Sequence, residues 1–190
     1  MRELILKMSI SLDGFVSDLD GANKWMFGSD QAARAWVVET IWNASLHIMG
    51  SRTFHDMAAY WPTSSDVFAA PMNQIPKAVF TRQGPAVLSQ VDTAAAGGWG
   101  EAYVASGDLA EEVAALKAQE GKPIVAHGGA RFARSLVAWG LVDQFALTAH
   151  PVALGKGLPL FSELAAPMLL KLIGSKAFSG GAVAQIYRPA

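Results

Sequence analysis

The chain has 190 residues, of which 52% are hydrophobic and 16% are charged, and its formal net charge is −1. This composition is typical of a globular protein with a sizeable core, and the balanced charge disfavours a dedicated nucleic-acid or anionic-membrane binder, which needs a basic excess. The sequence contains no cysteine, which excludes disulfides, thiolate nucleophiles and Cys-ligated zinc.

The first half of the chain predicts short strands that alternate with helices. Apolar residues at 3–10 predict a buried strand rather than a signal peptide, and no run of about eighteen apolar residues could span a membrane, so a cytoplasmic location is expected. Ser29 and Asp30 are predicted to cap the first helix. The other elements predicted here are helices at 31–45 and 51–61, strands at 45–50, 77–81, 86–91 and 101–105, loops at 11–25 and 62–76, and a glycine-rich gap at 97–100.

The second half continues the alternation and ends in a hairpin. A helix is predicted at 106–122, with Ser106 or Asp108 near its cap and Gly121 at its end. The remaining predicted elements are strands at 123–127 and 142–154, a helix at 128–140, and hairpin strands at 169–178 and 182–189. This order predicts an α/β fold with a mostly parallel sheet, helices on both faces and an antiparallel edge, in a single domain over residues 1–190.

Two junctions between a strand and a helix have the composition of an anion site: "IMGSRT" at 48–53 and "IVAHGGAR" at 124–131. Glycine lets a ligand approach the backbone, and the start of a helix offers N–H donors. Two such junctions suggest a ligand with more than one phosphate, such as a dinucleotide, although the glycines could serve only packing or a tight turn. Neither junction matches G-x-G-x-x-G, and no P-loop motif is present.

A third strand end, "VFTRQG" at 79–84, adds Thr81 and Arg82. With Arg52 this makes two guanidinium groups, whose planar fork suits phosphate, and a ribose 2′-phosphate is what distinguishes NADP from NAD. Alternatively, Arg82 is a solvated residue at the end of its strand.

A family resemblance appears when the motifs are taken in order: "MSISLDGFVSDLDG", "IMGSRTF", "YWP", "MNQIPKAVFTR" and "HGGARFARSLVAWGLVDQFALTAHPVALGKGLPLF". Together they resemble the dihydrofolate reductase-like family, specifically the reductase domain of the bifunctional riboflavin-biosynthesis deaminase-reductase and its stand-alone relatives. The resemblance covers about residues 2–188. The zinc motifs of the deaminase half are absent. The resemblance implies a three-layer fold with a central mixed, mostly parallel sheet and a C-terminal antiparallel hairpin.

The resemblance also implies NADPH as cofactor. Its phosphates would be bound by Gly50, Ser51, Arg52 and Thr53. The 2′-phosphate would be bound by Thr81 and Arg82. The residues that would lie along the pyrophosphate are Gly128, Gly129, Ala130 and Arg131. Ser106 would touch the adenosine end or cap the following helix. The loop with Asp13 and Gly14 would cover the nicotinamide and the substrate.

Asp13 and His127 are the candidates for an acid or for a group that orients the substrate. A hydride acceptor gains negative charge and needs a proton or a donor nearby, and histidine titrates in the right range. His127 stands where riboflavin reductases often carry a glutamate. Alternatively, Asp13 is a turn former and His127 has a packing role. Trp25, in the covering loop, is a candidate for stacking on the substrate.

The predicted function is an NADPH-dependent reductase that passes hydride directly to a small heterocyclic, imine or carbonyl substrate, as in reduction of the ribosylamino group of a pyrimidine in riboflavin synthesis. The alternatives are a folate-type reductase and a non-catalytic NADPH- or nucleotide-binding protein. His47, His55 and His150 lack ligand-like spacing, so no metal site is predicted. The apolar terminal strands and six tryptophans predict a homodimer.

Overall fold

The computed structural model describes residues 1–28, 30–91 and 98–190. The strands in these ranges are β1 Leu4–Ser11, β2 Phe15–Ser17, β3 Leu46–Gly50, β4 Lys77–Phe80, β5 Tyr103–Ala105, β6 Ile124–His127, β7 Gln144–His150, β8 Leu158–Pro159, β9 Leu170–Ala177 and β10 Val183–Pro189. The α-helices are α1 Gln31–Trp42, α2 Ser51–Tyr60, α3 Ala69–Gln74, α4 Leu109–Ala118 and α5 Ala130–Ala138. Short 3-10 helices cover Lys24–Gly28, Trp61–Thr63 and Gly84–Gln90. Among the described residues no helix has the length and hydropathy needed to cross a membrane.

The strands form an eight-stranded sheet in the order β5-β4-β3-β6-β1-β7-β10-β9 and a two-stranded sheet of β2 and β8. Strand β3 pairs in parallel with β4 and β6, β4 with β5, and β1 with β7. Strand β10 is antiparallel to β7 and β9. The predicted fold class, a mixed and mostly parallel central sheet with helices and a C-terminal antiparallel hairpin, is confirmed.

The chain divides into two compact units. The first comprises Met1–Leu4 and Val38–Gly129, and its strands β5, β4, β3 and β6 are parallel neighbours. Their runs of apolar residues reflect burial, as is usual in parallel sheets: Ile48, Val79 and Ile124 are fully buried.

The second unit comprises Ile5–Val37 and Ala130–Ala190. Helix α1 begins after Asp30, whose carboxylate accepts a hydrogen bond from the backbone N–H of Ala33 at 2.7 Å, so the predicted cap is confirmed at Asp30. Ser29, the other predicted cap, lies outside the described residues. Helix α1 packs on the hairpin through a cluster of Ala33, Phe178, Ala182, Ala184 and the partly buried Trp36.

Three local predictions are wrong. The segment 86–91, predicted as a strand, lies in the 3-10 helix Gly84–Gln90 up to Gln90, and Val91 follows that helix. The first turn of the helix contains proline, which sets a helical φ angle there. The loop at 62–76 contains α3, which buries Ala69, Pro71 and Met72. The loop at 11–25 contains β2, because β2 pairs with the distant β8, and the start of a 3-10 helix. Of the gap at 97–100, Gly97 lies outside the described residues. The single domain over residues 1–190 stays a prediction.

Candidate functional site

In the first unit, the strand register brings several predicted site residues to one edge of the sheet. Gly50 pairs with Phe80, and Phe80 pairs with Ala105. The residues that follow these three positions are therefore neighbours at the carboxyl ends of parallel strands, where α/β folds bind their ligands. The predicted site residues that follow these strands are Ser51, Arg52, Thr53, Thr81, Arg82 and Ser106.

The start of α2 has the geometry of an anion site. Gly50 is the N-cap residue, with extended φ and ψ angles of −77° and 160° and no side-chain hydrogen bond that caps the helix. The first N–H groups of a helix have no partner within it, and they carry the positive end of its dipole. Ser51 and Thr53 are partly exposed and Arg52 is exposed. These residues therefore fit a phosphate group, as predicted from the sequence.

The paired glycines after β6 adopt backbone conformations that side chains disfavour. The φ angle is 23° at Gly128 and 78° at Gly129. Both glycines are partly exposed, and α5 begins at the next residue, Ala130. Only glycine adopts such angles without strain, and its missing side chain leaves the backbone open to a ligand. Arg131, in the first turn of α5, is exposed.

The ends of β4 and β5 present polar side chains to solvent. The hydroxyl of Thr81 accepts a hydrogen bond from the backbone N–H of Gln83 at 3.0 Å, and Arg82 and Ser106 are exposed. Helix α4 is capped by Asp108, whose carboxylate accepts hydrogen bonds from the N–H groups of Ala110 and Glu111. Capping by Ser106, one of its two predicted roles, is therefore wrong, and contact with the adenosine end stays a prediction.

His127 lies in the interior of the first unit. Its ring is 4.5 Å from the ring of His47, with an angle of 71° between the two planes. Only 3% of His127 and none of His47 is exposed. This arrangement favours the packing role of His127, and its catalytic role stays a prediction. In the described ranges no group of three or more histidine, aspartate or glutamate side chains could hold a metal ion.

In the second unit, Asp13 joins two loops. Its carboxylate accepts hydrogen bonds from the Ser11 hydroxyl at 2.6 Å and from the backbone N–H groups of Leu154 at 3.1 Å and Gly155 at 2.7 Å. The hydrogen bond from Ser11, and then those from the two N–H groups, lower the pKa of Asp13 to about 2. Gly14 completes the turn with a φ angle of 85°. At neutral pH Asp13 is an ionised acceptor, an arrangement that favours the turn-forming role over proton donation.

Trp25 lies against His150. Their ring centroids are 5.4 Å apart, and the planes meet at 76°. The indole nitrogen of Trp25 is buried, and the described part of the chain provides it with no hydrogen-bond partner. A buried donor without a partner is costly. Substrate contact by Trp25 stays a prediction.

The sequence reasoning missed a row of polar residues on β1 and β7. Side chains two residues apart share a face of a strand, so Lys7, Ser9 and Ser11 share one face of β1. Ser9 pairs with Thr148, and Ser11 pairs with His150. The signal that could have revealed this row is that every second residue in this part of the apolar strand β1 has a charged or hydroxyl side chain.

Lys7 and His150 have shifted pKa values in this row. Burial lowers the pKa of Lys7 to about 8, and its ammonium forms no hydrogen bond or ion pair with the residues that the structure describes. Burial, and then the charge of Lys7, lower the pKa of His150. The Nε2 atom of His150 lies 3.2 Å from the Ser9 hydroxyl. A lysine of lowered basicity without a carboxylate partner is typical of a functional site.

The chain is similar to proteins of one family. The model of the RibD C-terminal domain matches residues 2–184. YyaP of Bacillus subtilis (strain 168), an uncharacterized protein, is 29% identical over 194 residues, covering 98% of this chain and 94% of YyaP. YwjB, an uncharacterized protein of the same organism, is 27% identical over 177 residues, covering 93% of this chain and 92% of YwjB.

Solved structures show the same fold. A putative riboflavin biosynthesis protein from Shewanella sp. PV-4 matches with a TM-score of 0.73 and 20% identity, covering 99% of both chains. A diaminohydroxyphosphoribosylaminopyrimidine deaminase/5-amino-6-(5-phosphoribosylamino)uracil reductase from Thermotoga maritima matches with a TM-score of 0.67 and 20% identity. The match covers all of this chain and 57% of that protein.

Proposed function

The chain belongs to the RibD C-terminal domain family, and we propose that it is an NADPH-dependent reductase that resembles 5-amino-6-(5-phosphoribosylamino)uracil reductase. Its substrate is a small heterocyclic molecule with an imine or carbonyl group. The observation that carries the proposal is the uncapped start of α2, which the strand register brings to the same sheet edge as Thr81 and Ser106. A cytoplasmic location remains a prediction.

The first unit supplies the groups that would hold NADPH. Backbone N–H groups at the start of α2, with Arg52, bind phosphate. Thr81 and Arg82 bind the 2′-phosphate, and Gly128 and Gly129 allow the pyrophosphate to approach the backbone. When bound, NADPH supplies the hydride.

Lys7 is the proton donor of the proposed reaction. When hydride reaches the carbon of an imine or carbonyl group, the electron pair of the double bond moves to nitrogen or oxygen and needs a proton. With its pKa lowered to about 8, Lys7 is protonated at neutral pH and releases its proton more readily than an ordinary lysine. Asp13 is ionised at that pH and has no proton to give. Asp13, Gly14 and Trp25 remain proposed contacts of the substrate.

Loss of NADPH absorbance with three candidate substrates tests the proposal. We expect oxidation with 5-amino-6-(5-phosphoribosylamino)uracil, and none with dihydrofolate or without substrate. Oxidation with dihydrofolate alone would instead identify a folate-type reductase. NADPH binding without turnover of either compound would identify a non-catalytic nucleotide-binding protein.

The proposed reductase is a homodimer that pairs through β9. This strand is at one end of the eight-stranded sheet, and apolar residues in it and just before it are exposed. Leu172 is 50% exposed, Ile173 is 47% exposed and the preceding Leu169 is 77% exposed. An edge strand with apolar side chains invites pairing with another strand. A second copy of the chain would offer the same edge in a symmetric, isologous contact.

A further inference from the structure

The turn that carries Arg82 is anchored on both sides. Before it, the backbone N–H of Thr81 donates a hydrogen bond to the carbonyl of Ala105, the last residue of β5, at 3.0 Å. After it, the carbonyl oxygen of Val87, in the 3-10 helix that follows the turn, lies 2.9 Å from the Nε2 atom of His55 on α2. The exposed side chain of Arg82 forms no hydrogen bond or ion pair with another described residue, so the position of Arg82 depends on the backbone on either side of it.

The two anchors differ in kind. The bond between Thr81 and Ala105 joins two backbone groups next to the paired strands β4 and β5, and any residue except proline could donate it. The other anchor depends on one side chain. A carbonyl oxygen only accepts, so the Nε2 atom of His55 carries the proton of this hydrogen bond. Val87 is fully buried, and the imidazole of His55 therefore reaches an interior part of the 3-10 helix.

Helix α2 gives His55 a fixed base. Phe54 is fully buried, and its ring packs on the buried ring of Trp99 with 5.6 Å between the centroids. The ring of Phe54 also lies 5.8 Å from that of His55. Since His55 is four residues after Ser51, the first residue of α2, the two side chains share a face of the helix. The contact from His55 thus places the Arg82 turn relative to the helix start that is proposed to bind phosphate.

We propose that His55 is a positioning residue that sets the preference for NADPH over NADH, because it holds the Arg82 turn beside the start of α2. The two cofactors differ by the 2′-phosphate, and a paired contact of a guanidinium with a phosphate depends on its geometry. If the turn shifts, the contact with the 2′-phosphate weakens, whereas the groups that NADPH shares with NADH keep their partners. This inference rests on the proposed function and adds the residue through which one phosphate contact is positioned.

Three variants separate the N–H donor of His55 from its ring. His55→Phe keeps a ring beside Phe54 and has no donor, and in His55→Asn the side chain is too short to reach the carbonyl of Val87. In His55→Gln the amide nitrogen takes the place of Nε2, so this variant keeps the contact. The matched control is Tyr60→Phe, which removes a hydroxyl from an aromatic ring on the same helix that is 55% exposed.

The dissociation constants of NADPH and NADH, titrated by nicotinamide fluorescence, measure the preference. We expect His55→Phe and His55→Asn to weaken NADPH binding about fivefold, as for the loss of one hydrogen bond, and to leave NADH binding within about twofold. His55→Gln and the control should leave both constants unchanged. Calorimetric titration of 2′,5′-ADP, which carries the 2′-phosphate without the nicotinamide, should show the same loss. If His55→Phe fails to fold, His55→Asn gives the same measurement.

A double variant tests whether His55 acts through Arg82. In an Arg82→Ala background, His55→Phe should weaken NADPH binding no further, because the effects of residues that act together do not add. A further loss of similar size would overturn the inference. It would also be overturned by equal losses for NADPH and NADH, by no loss in the phenylalanine and asparagine variants, or by a loss in His55→Gln as large as theirs.

These outcomes leave the proposed reductase function intact, because the unmodified protein still binds and oxidises NADPH. If the unmodified protein binds NADPH and NADH equally, the assignment of the 2′-phosphate fails and the inference fails with it, whereas oxidation of either cofactor would still support a reductase. If the unmodified protein binds neither cofactor, the proposed function and the inference both fail.

Discussion

Asp13 accepts a hydrogen bond from the backbone N–H of Gly155 at 2.7 Å and so joins two loops that are 142 residues apart in the sequence. The same carboxylate holds Leu154 and the hydroxyl of Ser11. A carboxylate with three donors is stabilised in its ionised form. These hydrogen bonds make Asp13 a brace for the loop after β7, and its role as a catalytic acid stays a prediction.

The first prediction concerns this brace. The folded-state pKa of Asp13 is lowered to about 2, below the unfolded value of about 3.9. The carboxylate therefore contributes stability above about pH 3.9, and this contribution is lost as pH falls towards about 2. We expect Asp13→Asn to lower Tm by a few degrees at pH 7 and by less as the pH falls through that window. Thermal melts as a function of pH measure this.

The control for this variant is Asp20→Asn, which removes an exposed carboxylate from the same region and should leave Tm unchanged. An Asp13→Asn protein with an unaltered Tm but no turnover would support Asp13 as a catalytic acid.

The second prediction concerns the cofactor. Arg82→Ala or Arg52→Ala removes a charged partner of a phosphate, worth roughly 1.5–3 kcal/mol, so NADPH affinity should fall about ten- to hundredfold. Arg82→Ala should also reduce the preference for NADPH over NADH, which titration by nicotinamide fluorescence measures. The matched control is Lys122→Ala, since Lys122 precedes the amino end of β6 and is exposed. Equal affinity for NADH and NADPH in the unmodified protein would contradict the assignment of the 2′-phosphate.

The third prediction concerns Lys7 as proton donor. Lys7→Met should lower turnover by roughly a hundredfold or more and leave NADPH binding intact. Because the protonated amine is the active form, turnover of the unmodified protein should fall as pH rises through about 8. The measurement is the pH profile of kcat in both proteins. A profile that stays flat to pH 9 would argue against Lys7 as the donor.

The lowered pKa of Lys7 also predicts how the stability of the protein depends on pH. The folded-state pKa of Lys7, about 8, lies below the unfolded value of about 10.4, so the folded protein binds the proton less well and becomes more stable as pH rises between these values. Lys7→Met removes a charge that is unfavourable at neutral pH. We therefore expect its Tm at pH 7 to be higher than that of the unmodified protein, although its turnover should be lower. A lower Tm would show that the folded protein stabilises the charged ammonium of Lys7, which would contradict its lowered pKa.

The fourth prediction concerns His127. If its ring packs against His47, His127→Ala should cost roughly 2–5 kcal/mol of unfolding free energy, as for other large buried side chains. The chemical step, measured in a single turnover with NADPH saturating, should then be nearly unchanged for each folded molecule. His47→Ala should have a similar effect on stability. A hundredfold slower chemical step with NADPH binding intact would instead support His127 as a catalytic residue, and weaker NADPH binding alone would identify a cofactor contact.

The fifth prediction concerns assembly. Ile173→Lys places a charge at an exposed position of β9 and should convert the dimer into a monomer of about 20.1 kDa, since lysine on an edge strand opposes pairing. Light scattering at micromolar concentration measures the mass. The control is Trp139→Lys at a residue just after α5 that is 65% exposed. A monomer mass for the unmodified protein would contradict the homodimer.

Patterns within a few residues were enough to locate most of the elements. The apolar runs at β3, β4 and β6 and the helix starts after Asp30 and Gly50 are local features, because a helix or a buried strand depends on the spacing of neighbouring side chains. These local patterns also located Gly50 at the end of β3, Thr81 just after β4 and Gly128 just after β6. Where a local signal was ambiguous the prediction failed: Val87 and Val91 are buried, but Val87 lies in the 3-10 helix Gly84–Gln90 and Val91 follows it.

The sequence by itself determined which residues are chemically able to bind an anion or move a proton, since that depends on side-chain type and on the local backbone. The tertiary structure alone decided which of them act together. Asp13 is satisfied by Leu154 and Gly155, and Ser9 holds His150 across 141 residues of sequence. Such contacts follow from the pairing of β1 with β7, and the partner of a strand is set by burial and register over the whole sheet rather than by its own residues.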